Sequence, residues 1–73
     1  MKMRFTNHAK YRVLIERRIS TEKVKSVIRK PDASKQLRGG LTKSERIIDK
    51  RTLIVVYSKD KVGQYVIITA YFK

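Results

Sequence analysis

From Gln64 to Phe72 the chain reads Gln-Tyr-Val-Ile-Ile-Thr-Ala-Tyr-Phe, a run filled almost entirely with β-branched and aromatic side chains. Branching at Cβ restricts rotamers in a helix and suits the pleated chain, so this segment is expected to be a strand. Strict alternation divides it into two faces. Val66, Ile68, Ala70 and Phe72 form the expected core face. Tyr65, Ile67, Thr69 and Tyr71 point the other way, with Tyr65, Thr69 and Tyr71 expected on a surface among Lys and Arg.

Two further β-rich segments precede it, Glu45 to Asp49 and Thr52 to Ser58, separated by turn signals at Asp49-Lys50-Arg51 and Lys59-Asp60-Lys61-Val62-Gly63. Together they predict an antiparallel meander. The N-terminal half has a different period. Thr6 or Asn7 can cap a helix running from His8 to Arg18, with Ala9, Val13 and Leu14 facing inward. Ser20 or Thr21 can cap a second, whose Val24, Val27 and Ile28 repeat the stripe and which Pro31 stops. Met3 to Phe5 reads as a short extended start, and Asp32 to Lys43 as a polar stretch with room for a short edge strand and a loop at Gly39-Gly40. The expected architecture is one α+β domain spanning residues 1–73: a short strand, two helices, then an antiparallel sheet of three or four strands.

Nineteen Lys and Arg against six Asp and Glu give a net charge of +13. Such an excess repels itself in the compact state unless an anion neutralises it, so a polyanionic partner is expected: RNA or a ribosome first, with DNA, an acidic protein or an anionic membrane as alternatives. Neither helix has the bulky apolar face of a membrane anchor, which argues against the last. Periodic apolar segments, 41% hydrophobic residues overall, indicate a folded domain rather than a basic tail. A domain of 73 residues buries only roughly 60% of its unfolded surface, so modest stability is expected. The absence of cysteine excludes disulfides and thiolate metal sites. Met1 to Phe5 carries no apolar signal core and no stretch is apolar enough to span a bilayer, so a cytoplasmic location is expected.

The six acidic residues, Glu16, Glu22, Asp32, Glu45, Asp49 and Asp60, are scattered singly, which disfavours a two-metal nuclease. Gly39-Gly40 lacks the strand-to-helix setting and the Lys-Ser/Thr of a phosphate-binding loop. Ser34, Ser44 and Ser58 share one histidine and no evident third group, a poor basis for a serine hydrolase. No cofactor and no metal are expected. His8, the only histidine, falls in the first turn of the first helix, with Arg12 four residues on and on the same face. A neutral imidazole can serve as general base, and an adjacent guanidinium can stabilise a phosphate under attack. A helix-terminal histidine is also commonly a capping or packing residue.

The segments Asn7-His8-Ala9-Lys10-Tyr11-Arg12, Glu16-Arg17-Arg18-Ile19-Ser20, Lys30-Pro31-Asp32 and Val66-Ile67-Ile68-Thr69-Ala70-Tyr71 resemble a small prokaryotic family classed as domain of unknown function 4258. That family is in turn similar to the RelE/ParE toxin superfamily, in which two N-terminal helices pack on an antiparallel sheet. The resemblance implies a toxin-type, metal-independent endoribonuclease, with an acidic antitoxin as a further partner. His8, Arg12, Thr69 and Tyr71 map to its catalytic positions, with Arg38, Arg46 and Arg51 as candidates for phosphate contacts. Tyr65, on the expected electropositive face of the last strand, is a further RNA-contact candidate because an aromatic ring among cations can stack on a base. Many RelE-type toxins place additional catalytic residues on a C-terminal segment, whereas this sequence stops at Lys73, after the last strand. The alternatives are a non-catalytic RNA-binding or ribosome-associated module of the same fold, and a toxin-fold protein with a protein target.

Overall fold

The computed structural model describes residues 1–73. Strand β1 (Met3–Phe5) leads into helix α1 (Asn7–Ala9), which runs without a break into a π-helical segment (Lys10–Glu16); helix α2 (Thr21–Arg29) and strands β2 (Ala33–Gln36), β3 (Thr42–Ile48), β4 (Arg51–Lys59) and β5 (Tyr65–Phe72) follow. Thr6 is the cap of the first helix, its Oγ1 accepting from the Ala9 N–H at 3.1 Å. At the other end the Arg17 N–H reaches back five residues to the Arg12 carbonyl at 3.0 Å, the wide winding of a π-helix. Arg18 then takes a left-handed conformation (φ 52°), and Ile19 donates to the Val13 carbonyl at 2.9 Å, so the chain reverses and buries Ile19. Ser20 caps α2 by accepting from the Lys23 N–H at 3.2 Å, and the helix ends at Arg29, two residues ahead of Pro31.

The five strands form one sheet in the order β1-β5-β4-β3-β2. It is mixed: β1 pairs with β5 in parallel, and all other neighbours are antiparallel. The domain is therefore α+β with two helical segments, as expected, but the sheet has five strands and one parallel pair where an antiparallel sheet of three or four was expected. The extended N-terminal start is itself a strand of that sheet. β3 and β4 are joined by Asp49 and Lys50, both with positive φ (52° and 69°), the backbone of a two-residue type I′ hairpin turn.

Both helical segments pack on one face. Ala9, Val13, Ile19, Val24, Val27 and Ile28 meet Leu53, Val55, Ile67 and Ala70 in a single buried cluster, with Leu14 half-buried beside it. The expected face assignment of β5 holds only for its second half. Register shifts between Val56, paired with Thr69, and Tyr57, paired with Ile67, leaving Ile68 as an extra residue. The bulge flips the alternation, so Tyr65 and Ile67 before it share the helix-covered face with Ala70 and Phe72 after it. Val66, expected in the core with Ile68, lies on the opposite face, and Tyr65 and Ile67, expected opposite, lie with the core.

Candidate nucleic-acid interface

The helices cover only part of their face of the sheet. Beyond them, the same face continues as a cleft of about 420 Å³ lined by Ser34, Gln36, Gly40, Thr42, Tyr57, Lys59 and Tyr65. Register explains why these side chains converge: Ser34 pairs with Ser44, Gln36 with Thr42, Thr42 with Tyr57 and Lys59 with Tyr65, all alternating onto one side. The Ser44 hydroxyl, fully buried at the cleft floor, shares hydrogen bonds with Ser34 Oγ at 2.8 Å and Tyr57 Oη at 3.4 Å. The Tyr57 and Tyr65 rings meet edge to face with centroids 5.5 Å apart, and the Lys59 ammonium lies 4.9 Å from the Tyr65 centroid. Thr42 Oγ1 donates to Gln36 Oε1 at 3.3 Å. Hydroxyls, an amide, two rings and a cation around an open polar cleft are a set that can hold a base and its phosphate.

The residues expected to act together are distributed over two layers. His8 and Arg12 are exposed on the first helix, and the Arg12 guanidinium is engaged by Glu16 at 3.3 Å. Thr69 and Tyr71 alternate with the core residues Ala70 and Phe72 and so project from the uncovered face. Between the two sets lies the edge of β5. β1 pairs only with Tyr65 to Ile67, so the strand is unpaired on that side from Ile68 onward, and Arg17 Nη1 donates to the Ala70 carbonyl there at 3.5 Å. No group of three or more His, Asp or Glu side chains comes together in metal-binding geometry.

Of the expected RNA contacts, Tyr65 lines the cleft and Arg38 is exposed on the turn that carries Gly40 into it. Arg46 instead reaches helix α2, donating from Nη1 to the Ser26 carbonyl at 3.2 Å. Arg51 stacks on Phe72, its guanidinium carbon 4.2 Å from the ring centroid. Sequence reasoning missed Gln36, Thr42, Tyr57 and Lys59 as site residues and weighed Ser34 and Ser44 only as hydrolase nucleophiles. A signal was present: polar or hydroxyl-bearing residues recur two apart at Ser34/Gln36, Thr42/Ser44 and Tyr57/Lys59, one face of three strands.

The uncovered face has its own apolar strip. Ile54 (3% exposed) and Val66 (7%) are buried there outside the helix-packed cluster. Half-buried Val56, Thr69 and Tyr71 surround them.

A family model with the description Domain of unknown function (DUF4258) matches residues 5–72. No curated protein and no solved structure matches the chain. The match runs from the end of β1 to the end of β5 and so takes in both helical segments, the cleft and the β5 edge. The chain belongs to the DUF4258 family.

Proposed function

We propose that this chain is an RNA-binding domain of the RelE/ParE-like toxin type, with the tyrosine-bearing cleft as its RNA site. The observation that carries the reading is the near absence of internal charge compensation. Of nineteen basic side chains only Arg12 lies within ion-pair distance of a carboxylate. The other eighteen have no carboxylate partner on a small surface, and a phosphate backbone relieves their repulsion while releasing its own counterions. The cleft supplies what charge alone does not, two aromatic rings and a row of hydroxyls. An acidic antitoxin segment would compete for the same surface through the same charge.

The test is fluorescence anisotropy of a short labelled oligouridylate with wild-type protein and with Tyr65→Ala. Loss of one ring-to-base contact is worth about 1–3 kcal/mol, so the variant is expected to bind roughly 5- to 150-fold more weakly. No measurable binding by the wild-type protein at low salt refutes the reading.

A second reading adds catalysis, and the exposure of His8 beside Arg12 favours it. In this reading His8 takes the proton of a ribose 2′-hydroxyl as its oxygen bonds to the adjacent phosphorus. The bond to the 5′-oxygen breaks and that oxygen takes a proton from water, leaving a 2′,3′-cyclic phosphate and a 5′-hydroxyl. Arg12 stabilises the crowded phosphate once Glu16 releases it, and Thr69 and Tyr71 position the base or leaving group across the open β5 edge. Survival of full-length messenger RNA in a cell-free translation reaction, given wild-type protein or His8→Ala, decides it. Loss of message with the wild type alone supports cleavage, and intact message in both leaves binding without cutting.

A further inference from the structure

Away from the cleft, helix α2 and strand β3 enclose a second groove of about 400 Å³ lined by Glu22, Lys25, Ser26, Arg29, Lys30 and Arg46, with no apolar residue in its wall. Four cations and one carboxylate share this space, and none of them forms an ion pair. The spacing is set by the helix. Positions 22, 25/26 and 29 repeat at three and four residues and therefore line one face of α2, with Lys30 following as its C-cap. From Glu22 to Arg29 that face runs roughly 10 Å at about 1.5 Å per residue. This is the length of about three stacked nucleotides at ~3.4 Å each.

Arg46 closes the groove from the sheet side. Its Nη1 is fixed on the Ser26 carbonyl at 3.2 Å, which orients the guanidinium while leaving its other N–H donors free. A guanidinium held in place is prepared for a phosphate at lower entropic cost than a freely rotating one. Past Arg46 the groove continues for about 340 Å³ along Lys23, Ile47 and Ile48. Ile47, at 64% exposed, offers an apolar surface beside the cations on which a ribose or base can lie.

We infer that the α2–β3 groove is a second polyanion site, which holds the phosphate backbone of single-stranded RNA through Lys25, Arg29, Lys30 and Arg46 without reading its sequence. The inference rests on the RNA-binding reading above but assigns the backbone contacts to a surface separate from the tyrosine cleft. Like charges gathered on one rim repel one another when no anion is present, and a run of phosphates is a ligand that neutralises several of them at once.

The experiment is the salt dependence of oligouridylate binding for the wild type and for Lys25→Gln/Arg29→Gln/Lys30→Gln. The control is Lys50→Gln/Lys61→Gln/Lys73→Gln, which removes the same charge from exposed positions elsewhere. Each lost phosphate contact on a single strand lowers the slope of log affinity against log salt by about 0.7, so the groove variant is expected to lose about two units of slope. At about 0.1 M salt that corresponds to roughly 100-fold weaker binding, shrinking as salt approaches about 1 M. The control is expected to change the slope by less than half as much. If the wild type fails to bind oligouridylate, the RNA-binding reading falls and the groove assignment with it. If the wild type binds and groove and control variants weaken equally, the groove assignment alone is overturned.

Discussion

Ser44→Ala removes the centre of the hydroxyl relay that floors the cleft, and the structure fixes how much this should cost. Ser44 Oγ has two partners, Ser34 at 2.8 Å and Tyr57 at 3.4 Å. The first distance is that of a well-formed hydroxyl pair, and the second is near the limit at which such a bond retains strength. Both partners border the open cleft, Ser34 exposed and Tyr57 half-buried, so water can replace the lost hydroxyl and no buried group is left unsatisfied. The cost is then the net value of about one hydrogen bond, ~1 kcal/mol, rather than the larger penalty of a stranded polar group. In a domain of this size that lowers Tm by about 4–8 °C, read by circular dichroism. Double-mutant cycles apportion the loss. Ser34→Ala with Ser44→Ala is expected to show a coupling of about 0.5–1 kcal/mol, and Tyr57→Phe with Ser44→Ala less than ~0.5 kcal/mol. A larger coupling to Tyr57 than to Ser34 refutes the ranking read from the two distances, and a loss above ~3 kcal/mol for Ser44→Ala alone refutes the premise that water reaches the relay's partners.

Ile67 is fully buried at the centre of the helix-packed cluster. Ile67→Ala is expected to cost about 2–5 kcal/mol, a large part of the ~4–11 kcal/mol available to a domain this long, and urea denaturation showing a loss below ~1 kcal/mol would contradict its placement beside the bulge. Arg18 holds a left-handed backbone (φ 52°) at the end of the first helix, where glycine fits without steric cost. Arg18→Gly is expected to raise stability by about 0.5–1 kcal/mol in thermal melts, and a lower Tm would place its side chain in a contact that outweighs the strain. With +13 net charge and one ion pair, Tm is expected to rise by several degrees between about 0.1 M and about 1 M potassium chloride as the screening length falls from ~10 Å to ~3 Å. A flat or falling Tm would show that self-repulsion is not a significant term.

What could be read from the sequence divides along physical lines. Ala9, Val13, Val24, Val27 and Ile28 were legible because a helix repeats its inward face at a fixed period, and all are buried. The hairpin turn at Asp49-Lys50 was legible as a break between two β-rich runs, though neither residue is a glycine. The faces of β5 were not, because a period-two reading assumes an uninterrupted strand and Ile68 is an extra residue that no composition cue marks. That single residue moved Tyr65 from the expected open surface into the cleft. The parallel pairing of β1 was also hidden, since three residues carry too little pattern to choose a neighbour. The cleft itself exists only through register. Ser34, Gln36, Thr42, Tyr57 and Lys59 come from three segments spread over 26 positions and converge because β2, β3 and β4 are in antiparallel pairing.

The incomplete helix layer is what leaves the cleft open on this small fold. With α1, its π-helical continuation and α2 over only part of their face, the chain buries Leu53, Val55, Ile67 and Ala70 but leaves Tyr57 and Tyr65 half-exposed at its margin. A longer second helix would cover that margin and erase the cleft, and Pro31 prevents it by ending the helical run before Asp32. Asp32 then reinforces the switch to extended chain, its N–H donating to the Glu45 carbonyl at 2.8 Å and its carboxylate accepting from the Ile47 N–H at 2.8 Å. These two bonds fix where β2 begins against β3, and so which residues of β2 face the cleft. A shift of one residue there would replace Ser34 and Gln36 with Ala33 and Lys35 on the cleft face and break the link to Ser44. The site therefore depends on register set at Pro31-Asp32, outside the cleft, as much as on the residues that line it.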